Sequence, residues 1–251
     1  MLGPLLFIIY TNDLPNSLRD SQCILFADDT TIFHSSKDPN KSMAALKYDL
    51  EQLTDWMGNN LLKLNDSKTD VLIIASPHDL PHVIDTAIQV GDVSITSSQS
   101  VRNLGIVLDQ TLSMKQHITH VCKSAFIHLR NIRYLKPYLS ADALATVAHA
   151  FITSRIDYCN SLLVGIPDVC VSQLQRIQNC TARLISNTRK YDHIQPVLKR
   201  LHWLLVKQRI TFKLLLITHK AVHGLALQYI SDLVQIGNFE IPVSKSMLQL
   251  M

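Results

Sequence analysis

Glycine is scarce in this chain, with 7 residues in 251, and this argues against a protein dominated by tight β-turns. Long hydrophobic runs are also missing. The longest, residues 5–10 with 2–4 before it, is far short of the roughly 20 residues that span a bilayer. It has no basic flank, which argues against a cleavable signal peptide. Five cysteines (Cys23, Cys122, Cys159, Cys170 and Cys180) form an odd set without a CxxC pair. That usage favours a reducing compartment, with thiols packed as small hydrophobes. No internal repeat and no low-complexity segment is found. What is present is apolar: hydrophobic residues make up 47% of the chain, enough for a sizeable core and too many for a disordered tail. The expectation is a soluble, intracellular, globular chain of one large or two small domains.

Charge is distributed unevenly. Residues 1–114 carry 7 Lys/Arg against 14 Asp/Glu, residues 115–220 carry 16 against 4, and residues 221–251 carry 1 against 2. An acidic half joined to a basic half suggests a bipartite protein whose second part meets a polyanion. The alternative reading is a solvated basic helix face.

Residues 2–10 read as a buried helix or strand, ended by Asn12, Asp13, Leu14 and Pro15. Two runs of strand formers, 23–27 and 30–33, flank the polar pair Asp28-Asp29 and predict a β-hairpin. Met43, Leu46, Leu50, Leu53 and Met57 recur at helical spacing across 42–56. Short strands are predicted at 62–64 and 71–74, around the loop 65–69, and two more at 90–95 and 101–108. Beyond residue 113 the period becomes helical: Ile118, Val121, Cys122, Ala125, Leu129 and Ile132 form one face. Pro137 closes that helix, and Ser140 is the N-cap of the next, 141–156. A third helix is expected at 171–186, with Leu174, Ile177 and Leu184 inward and Arg176 and Arg183 outward. A fourth is expected at 206–223, with Gly224 as its C-cap. The fold class is α+β: a small α+β unit over 1–113, a basic helical region over 114–224, and a weakly patterned tail over 225–251.

Asp28-Asp29 is the most informative pair. Adjacent carboxylates at a hairpin tip repel unless a cation neutralises them. Hard divalent ions favour carboxylate oxygens, and two such ions serve phosphoryl and nucleotidyl transfer. Taken alone, an Asp-Asp turn is usually structural. Its surroundings change that reading. Phe26-Ala27-Asp28-Asp29 resembles the catalytic hairpin of reverse transcriptases of the non-LTR (LINE-type) retrotransposon class. Further resemblances follow in chain order: Leu2-Gly3-Pro4-Leu5-Leu6-Phe7 with Tyr10-Thr11-Asn12-Asp13-Leu14, then Trp56 and Leu62-Lys63-Leu64-Asn65 with Lys68-Thr69. Asn103-Leu104-Gly105-Ile106 with Leu108-Asp109 and Leu112 is similar to the family's primer-grip hairpin. In the helical part, the similar stretches are Arg155-Ile156-Asp157-Tyr158-Cys159-Asn160, Leu174-Gln175-Arg176-Ile177-Gln178-Asn179 and Leu201-His202-Trp203-Leu204, with Phe212-Lys213-Leu214 and residues 220–224 beyond them.

The resemblance implies a partial reverse-transcriptase palm over 1–113, followed by a thumb-like helical bundle over 114–224. It implies an RNA-directed DNA polymerase acting on an RNA template and a DNA primer, with Mg2+ as cofactor and Mn2+ as the alternative ion. Asp28 would bind the metal and Asp29 would support the site. Lys68 would act near the leaving pyrophosphate, as a general acid or as a point charge. Leu104 and Gly105 would set the backbone against the primer terminus, where glycine permits close approach. A nuclear site of action is compatible with the resemblance; oligomeric state is left open. The family's third carboxylate, its Gln-Gly-Ser stretch and its fingers are absent from these residues. The expectation is therefore a truncated product or an over-short gene model, inactive as a polymerase alone and holding metal only weakly. Leu205 stands where the family often has proline.

Two other groups invite a functional reading. Arg130, Arg133, Lys136, Arg176, Arg183, Lys207, Arg209 and Lys213, with Arg189, Lys190 and Lys220, supply candidate phosphate contacts for salt-sensitive, sequence-independent binding. Tyr134, Tyr138, Tyr191 and Trp203 lie near them in sequence and suit base stacking, although Trp203 equally suits a core anchor. His219 and His223 share a helix face but lack the intervening Glu and third ligand of a zinc helix, and His117, His120 and Cys122 do not all face one way.

Overall fold

The structure is a computed structural model that describes residues 2–82, 87–90 and 93–234. The chain divides into two compact units, 1–116 and 117–251. The expectation for residues 235–251 lies outside the described residues.

The first unit opens with helix α1 (Leu2–Tyr10). The sequence reading made this segment buried. It is a helix, but none of its residues is buried, and Leu2, Leu5, Leu6, Ile8 and Ile9 are each more than half exposed. An apolar segment is buried only if something packs on it; here the Tyr10 hydroxyl simply ties the helix end to the Asn60 carbonyl at 2.5 Å.

Strands β1 (Gln22–Phe26) and β2 (Asp29–Phe33) form an antiparallel hairpin in which Phe26 pairs with Asp29. Alternation turns Cys23, Leu25 and Ile32 toward the core and leaves Ile24, Phe26 and Phe33 outside. Helix α2 (Pro39–Asn59) begins with Asp38 as N-cap, its carboxylate accepting from Asn40 N, and with proline in the first turn. The Leu50 and Leu53 stripe then packs with Leu14, Ile88 and Val90, flanked by Met43, Trp56 and Met57.

Three further readings are corrected here. Residues 62–64 and 71–74 are not strands; Val71 alone makes a single parallel bridge to Ser97, and the rest is irregular. The predicted strand 90–95 is a hairpin of β3 (Ala87–Val90) and β4 (Val93–Thr96). The predicted strand 101–108 is also a hairpin, of β5 (Ser100–Asn103) and β6 (Ile106–Asp109). Each described sheet has two strands, so hairpins rest on helix packing and on side-chain anchors rather than on neighbouring strands.

Asp49 is the chief anchor. It is fully buried on α2, and its carboxylate accepts three backbone N–H groups, from Arg19 at 2.8 Å, Asp20 at 3.1 Å and Ser21 at 2.6 Å. Those residues lead directly into β1. Asp109 does the same at the end of β6. It takes the N–H groups of Thr111, Ser113 and Met114 and both neighbouring hydroxyls.

The second unit is helical. Helix α3 (Lys115–Leu135) buries His117, Ile118, Val121, Ala125 and Ile132. The Ser140 hydroxyl caps α4 (Ala141–Ala148), accepting from Ala143 N at 3.2 Å. The expected single helix over 141–156 is interrupted by a π-helical turn at His149–Thr153 before α5 (Ser154–Asp157). Helix α6 (Asp168–Ser186) packs against α4, α7 (Gln195–Arg200) and α8 (Val206–Val222), and a short α9 (Gln228–Ser231) follows. Trp203 lies inside, against Ala182, Val197 and Leu198, with its ring edge-on to His149 at 5.2 Å. Leu205 keeps a φ of −61°, a value that proline would also adopt. No described helix is long and apolar enough to cross a membrane.

For Asp49, burial raises the carboxyl pKa, but the N–H groups of Arg19, Ser21 and Asp20 and the Ser21 hydroxyl outweigh it and lower the pKa below the usual value. A carboxyl lowered in the folded state stabilises fully above its unfolded pKa and loses that contribution as pH falls through the folded one. Asp49→Ala should therefore cost about 2–4 kcal/mol near neutrality. Urea denaturation should show the difference from wild type shrinking below about pH 4.

Candidate active-site hairpin and nucleic-acid interface

The β1–β2 hairpin closes through a two-residue loop, Ala27-Asp28, with Asp29 as the first residue of β2. The loop is thus one residue out of step with the predicted Asp28-Asp29 tip. Ala27 has a φ of 53°; tight hairpin loops need such a value because it matches the twist of the strands. For alanine it costs roughly 1–2 kcal/mol. Asp28 and Asp29 are both exposed. The turn therefore presents two carboxylates at the end of a hairpin whose inner face is fixed to the core.

The β5–β6 hairpin lies beside it. Asn103 pairs with Ile106, and Asn103 Nδ2 donates to the Thr31 hydroxyl of β2 at 3.4 Å. Its loop is Leu104-Gly105, with φ of 45° and 83°. Two positive φ values in sequence are the mark of a type I′ turn, which Gly105 accepts freely and Leu104 does not. Two of the sequence-identified groups are thus adjacent: the acidic hairpin and the Leu104-Gly105 hairpin. Lys68 is exposed at the end of a one-turn 3-10 helix, Asp66–Lys68, in a loop held by Ser67 and Thr69 bonding to Asn65. None of the described hydrogen bonds or ion pairs joins Lys68 to either hairpin.

Mg2+ can be tested against this donor set. Asp28 and Asp29 suit one hydrated hard cation. Among the described residues no three His, Cys, Asp or Glu side chains converge, so these residues do not fit a two-ion centre.

The basic side chains divide into two groups. Lys136 donates to the Leu184 carbonyl at 2.7 Å and to Asn187 Oδ1 at 2.6 Å, capping the C-terminus of α6. Arg183, expected outward, is half-buried and bonds the carbonyls of Arg189 and Asp192. Lys207 pairs with Asp168 at 3.4 Å in the open, which is worth little. Arg209 Nη1 pairs with Asp157 Oδ2 at 2.5 Å, mostly buried on the arginine side. By contrast, Arg130, Arg133, Arg176 and Lys213 are exposed, and none of the described hydrogen bonds or ion pairs involves them. Tyr134, Tyr138 and Tyr191 are also largely exposed. Cys159 is exposed as well, contrary to the expectation of packed thiols. His117 is buried; burial, with a smaller contribution from His120, lowers its pKa. His219 and His223 stack at 4.0 Å.

Three sequence stretches meet in the helical unit. Gln178 Nε2 donates to the Leu204 carbonyl at 2.8 Å, and Gln175 Oε1 caps α8 by accepting from Val206 N at 2.9 Å. Arg209 Nε also donates to Leu204 O, while its guanidinium holds Asp157. Residues 155–160, 174–179 and 201–204 are therefore joined by hydrogen bonds within one unit. Sequence reasoning missed Asp157, Asn160 and Gln175 as interacting residues, and it missed Asp49. The available signal for Asp49 was a carboxylate on the apolar stripe of a helix, three residues after Leu46 and four before Leu53.

Residues 1–108 match the family described as reverse transcriptase (RNA-dependent DNA polymerase). The chain is 28% identical over 146 residues to a probable RNA-directed DNA polymerase from transposon BS of Drosophila melanogaster, covering 54% of this chain and 16% of that protein. It is 21% identical over 193 residues to a probable RNA-directed DNA polymerase from transposon X-element of the same fly, covering 74% and 21%. It is 24% identical over 143 residues to the RNA-directed DNA polymerase from mobile element jockey of Drosophila funebris, covering 54% and 15%. The chain thus spans about a fifth or less of the length of these relatives. No solved structure matches it.

The left-handed loop at 104–105 makes a direct prediction. Gly105→Val should destabilise the first unit by about 1–2 kcal/mol, because a β-branched residue resists positive φ. Leu104→Asn should stabilise it by up to about 1 kcal/mol, because asparagine tolerates that region. Urea denaturation of both variants against wild type checks the opposite signs.

Proposed function

We propose, from the relationship of this chain to the reverse transcriptases of non-LTR retrotransposons, that its first unit is the closing part of a polymerase palm. The second unit is then the thumb that holds the template–primer duplex. The observation that carries this reading is the pair of adjacent hairpins. One presents Asp28 and Asp29, and the other presents the Leu104-Gly105 turn, joined through Asn103 and Thr31. A growing DNA end on an RNA template needs these two elements side by side: carboxylates for the metal, and a backbone turn against the terminal nucleotide.

Asp28 and Asp29 are the residues that would hold Mg2+, which would neutralise the charge on the reacting phosphates. Lys68 would supply a positive charge to the leaving group only if its loop closes on the hairpin. Two carboxylates supply too few ligands for a pair of ions, so the centre formed by the described residues is incomplete, and the chain by itself is expected not to extend a primer. Its own contribution is to hold nucleic acid. The helical unit has the charge for it, with Arg130, Arg133, Arg176 and Lys213 exposed and uncommitted to the described hydrogen bonds and ion pairs. RNA template and DNA primer are the proposed partners.

Two measurements test the reading. Primer extension by the purified chain with Mg2+ should give no product; a product lost on Asp28→Ala would contradict the claim of an incomplete centre. Binding to an RNA–DNA hybrid should weaken steeply with salt, and Arg130→Ala with Arg176→Ala should reduce the log–log slope by about 1.5–2. A slope unchanged by both substitutions, or no binding at low salt by a folded chain, would contradict the proposed grip.

A further inference from the structure

The end of α8 carries two histidines that the polymerase reading does not use. His219 and His223 are four residues apart, so they are neighbours on one helix face, and both are exposed. Their rings stack with centroids 4.0 Å apart and planes 22° from parallel. The other described histidine ring contacts pair the imidazole with an aromatic, His128 with Phe151 and His149 with Trp203.

One hydrogen bond decides which nitrogen is available. His223 Nδ1 lies 2.8 Å from the His219 carbonyl oxygen. A carbonyl can only accept, so Nδ1 carries the proton, and in the neutral ring Nε2 keeps its lone pair. Histidines that bind metals almost always donate their other ring N–H in this way, to a carbonyl or a carboxylate, which fixes the ring and raises its basicity. His223 therefore already makes the outer contact of a metal ligand. The His219 ring makes none of the described hydrogen bonds and can turn toward whatever His223 holds.

The spacing suits a small ion. Two imidazoles bound at about 2.0–2.1 Å, at an angle between square-planar and tetrahedral, place their donor nitrogens about 3 Å apart. Two exposed rings 4.0 Å apart reach that separation by side-chain rotation, with no change in the backbone. The helix end also favours a cation: His219 is in the last turn of α8 and His223 is its C-cap, where the helix dipole is negative. Lys220, exposed on the same turn, acts against this and limits the affinity. No three His, Cys, Asp or Glu side chains converge among the described residues, so water would complete the coordination. No glutamate stands between the pair to act as a general base, so the arrangement suits an ion that clips the helix end, not hydrolysis.

We propose that His219 and His223 form a two-imidazole site for a divalent transition-metal ion of the Zn2+, Ni2+ and Cu2+ class. Nitrogen donors select that class, whereas the Asp28 and Asp29 carboxylates offer oxygen to hard Mg2+, so the two sites take different ions. Bound metal ties residue 219 to residue 223 and holds the last turn of α8 just before Gly224, whose φ of 67° begins the turn toward α9. This site is independent of the reading of the helical unit as a nucleic-acid grip.

The test titrates the full 15N-labelled chain with NiCl2, whose paramagnetism broadens the amide signals around a bound ion. Signals of residues 216–226 should be lost by about 1 mM NiCl2. His223→Asn, whose side-chain amide keeps a donor for the His219 carbonyl, should move that loss about 10-fold higher in nickel, and His219→Gln should do the same. Both positions are exposed, so neither variant threatens the fold. In urea denaturation followed by circular dichroism, NiCl2 should raise the midpoint of the wild type more than that of either variant. Signals of 216–226 that survive about 1 mM NiCl2, or a loss that neither substitution shifts, would overturn the site.

Discussion

A carboxylate removed from water must have its oxygens filled, and this requirement organises both units. Asp49 meets it with the three N–H groups of Arg19, Asp20 and Ser21, fixing the turn that feeds β1 to the middle of α2. Asp109 meets it with the turn that leads from β6 into α3. The two-stranded sheets have no further strands to hold them among the described residues, so these two anchors fix where the acidic hairpin starts and where the Leu104-Gly105 hairpin ends. Asp157 meets the requirement by half. Arg209 fills one oxygen, and the other stays empty beside Asn160.

Much of the fold could be read from the residues, and the failures have physical causes. The α2 stripe, the Ser140 cap and the β1–β2 hairpin follow from local periodicity and capping chemistry, which act over a few residues. The loop register was missed by one residue because Ala27, not an acidic residue, takes the left-handed position. The 100–109 hairpin was hidden from periodicity in a continuous run of strand formers, and the resemblance to a primer-grip hairpin was what pointed to a turn at Leu104-Gly105. Residues 71–74 have strand composition but lack a partner along their length, and pairing is not a local property. The exposure of α1 was likewise invisible, because burial depends on what lies opposite.

The candidate site was legible unevenly. Asp28, Asp29, Leu104 and Gly105 came from a resemblance to a family, and the geometry adds that their hairpins touch. The basic residues were legible as a charge imbalance, but composition cannot separate arginines that hold carbonyls or carboxylates, such as Arg183 and Arg209, from those that make none of the described hydrogen bonds or ion pairs, such as Arg130 and Arg176. The three helical stretches noted from sequence form a hydrogen-bonded cluster in which glutamines carry most of the contacts. Charge and aromatic content gave no hint of that role.

The most direct test of this account is hydrogen–deuterium exchange of the chain with and without a bound RNA–DNA hybrid carrying a short single-stranded extension. The account predicts slower exchange on binding around Arg130, Arg133, Arg176 and Lys213, with 19–21 and 109–114 unchanged because their amides are already held by Asp49 and Asp109. Binding accompanied by protection elsewhere, with the segments around Arg130, Arg133, Arg176 and Lys213 unaltered, would contradict it.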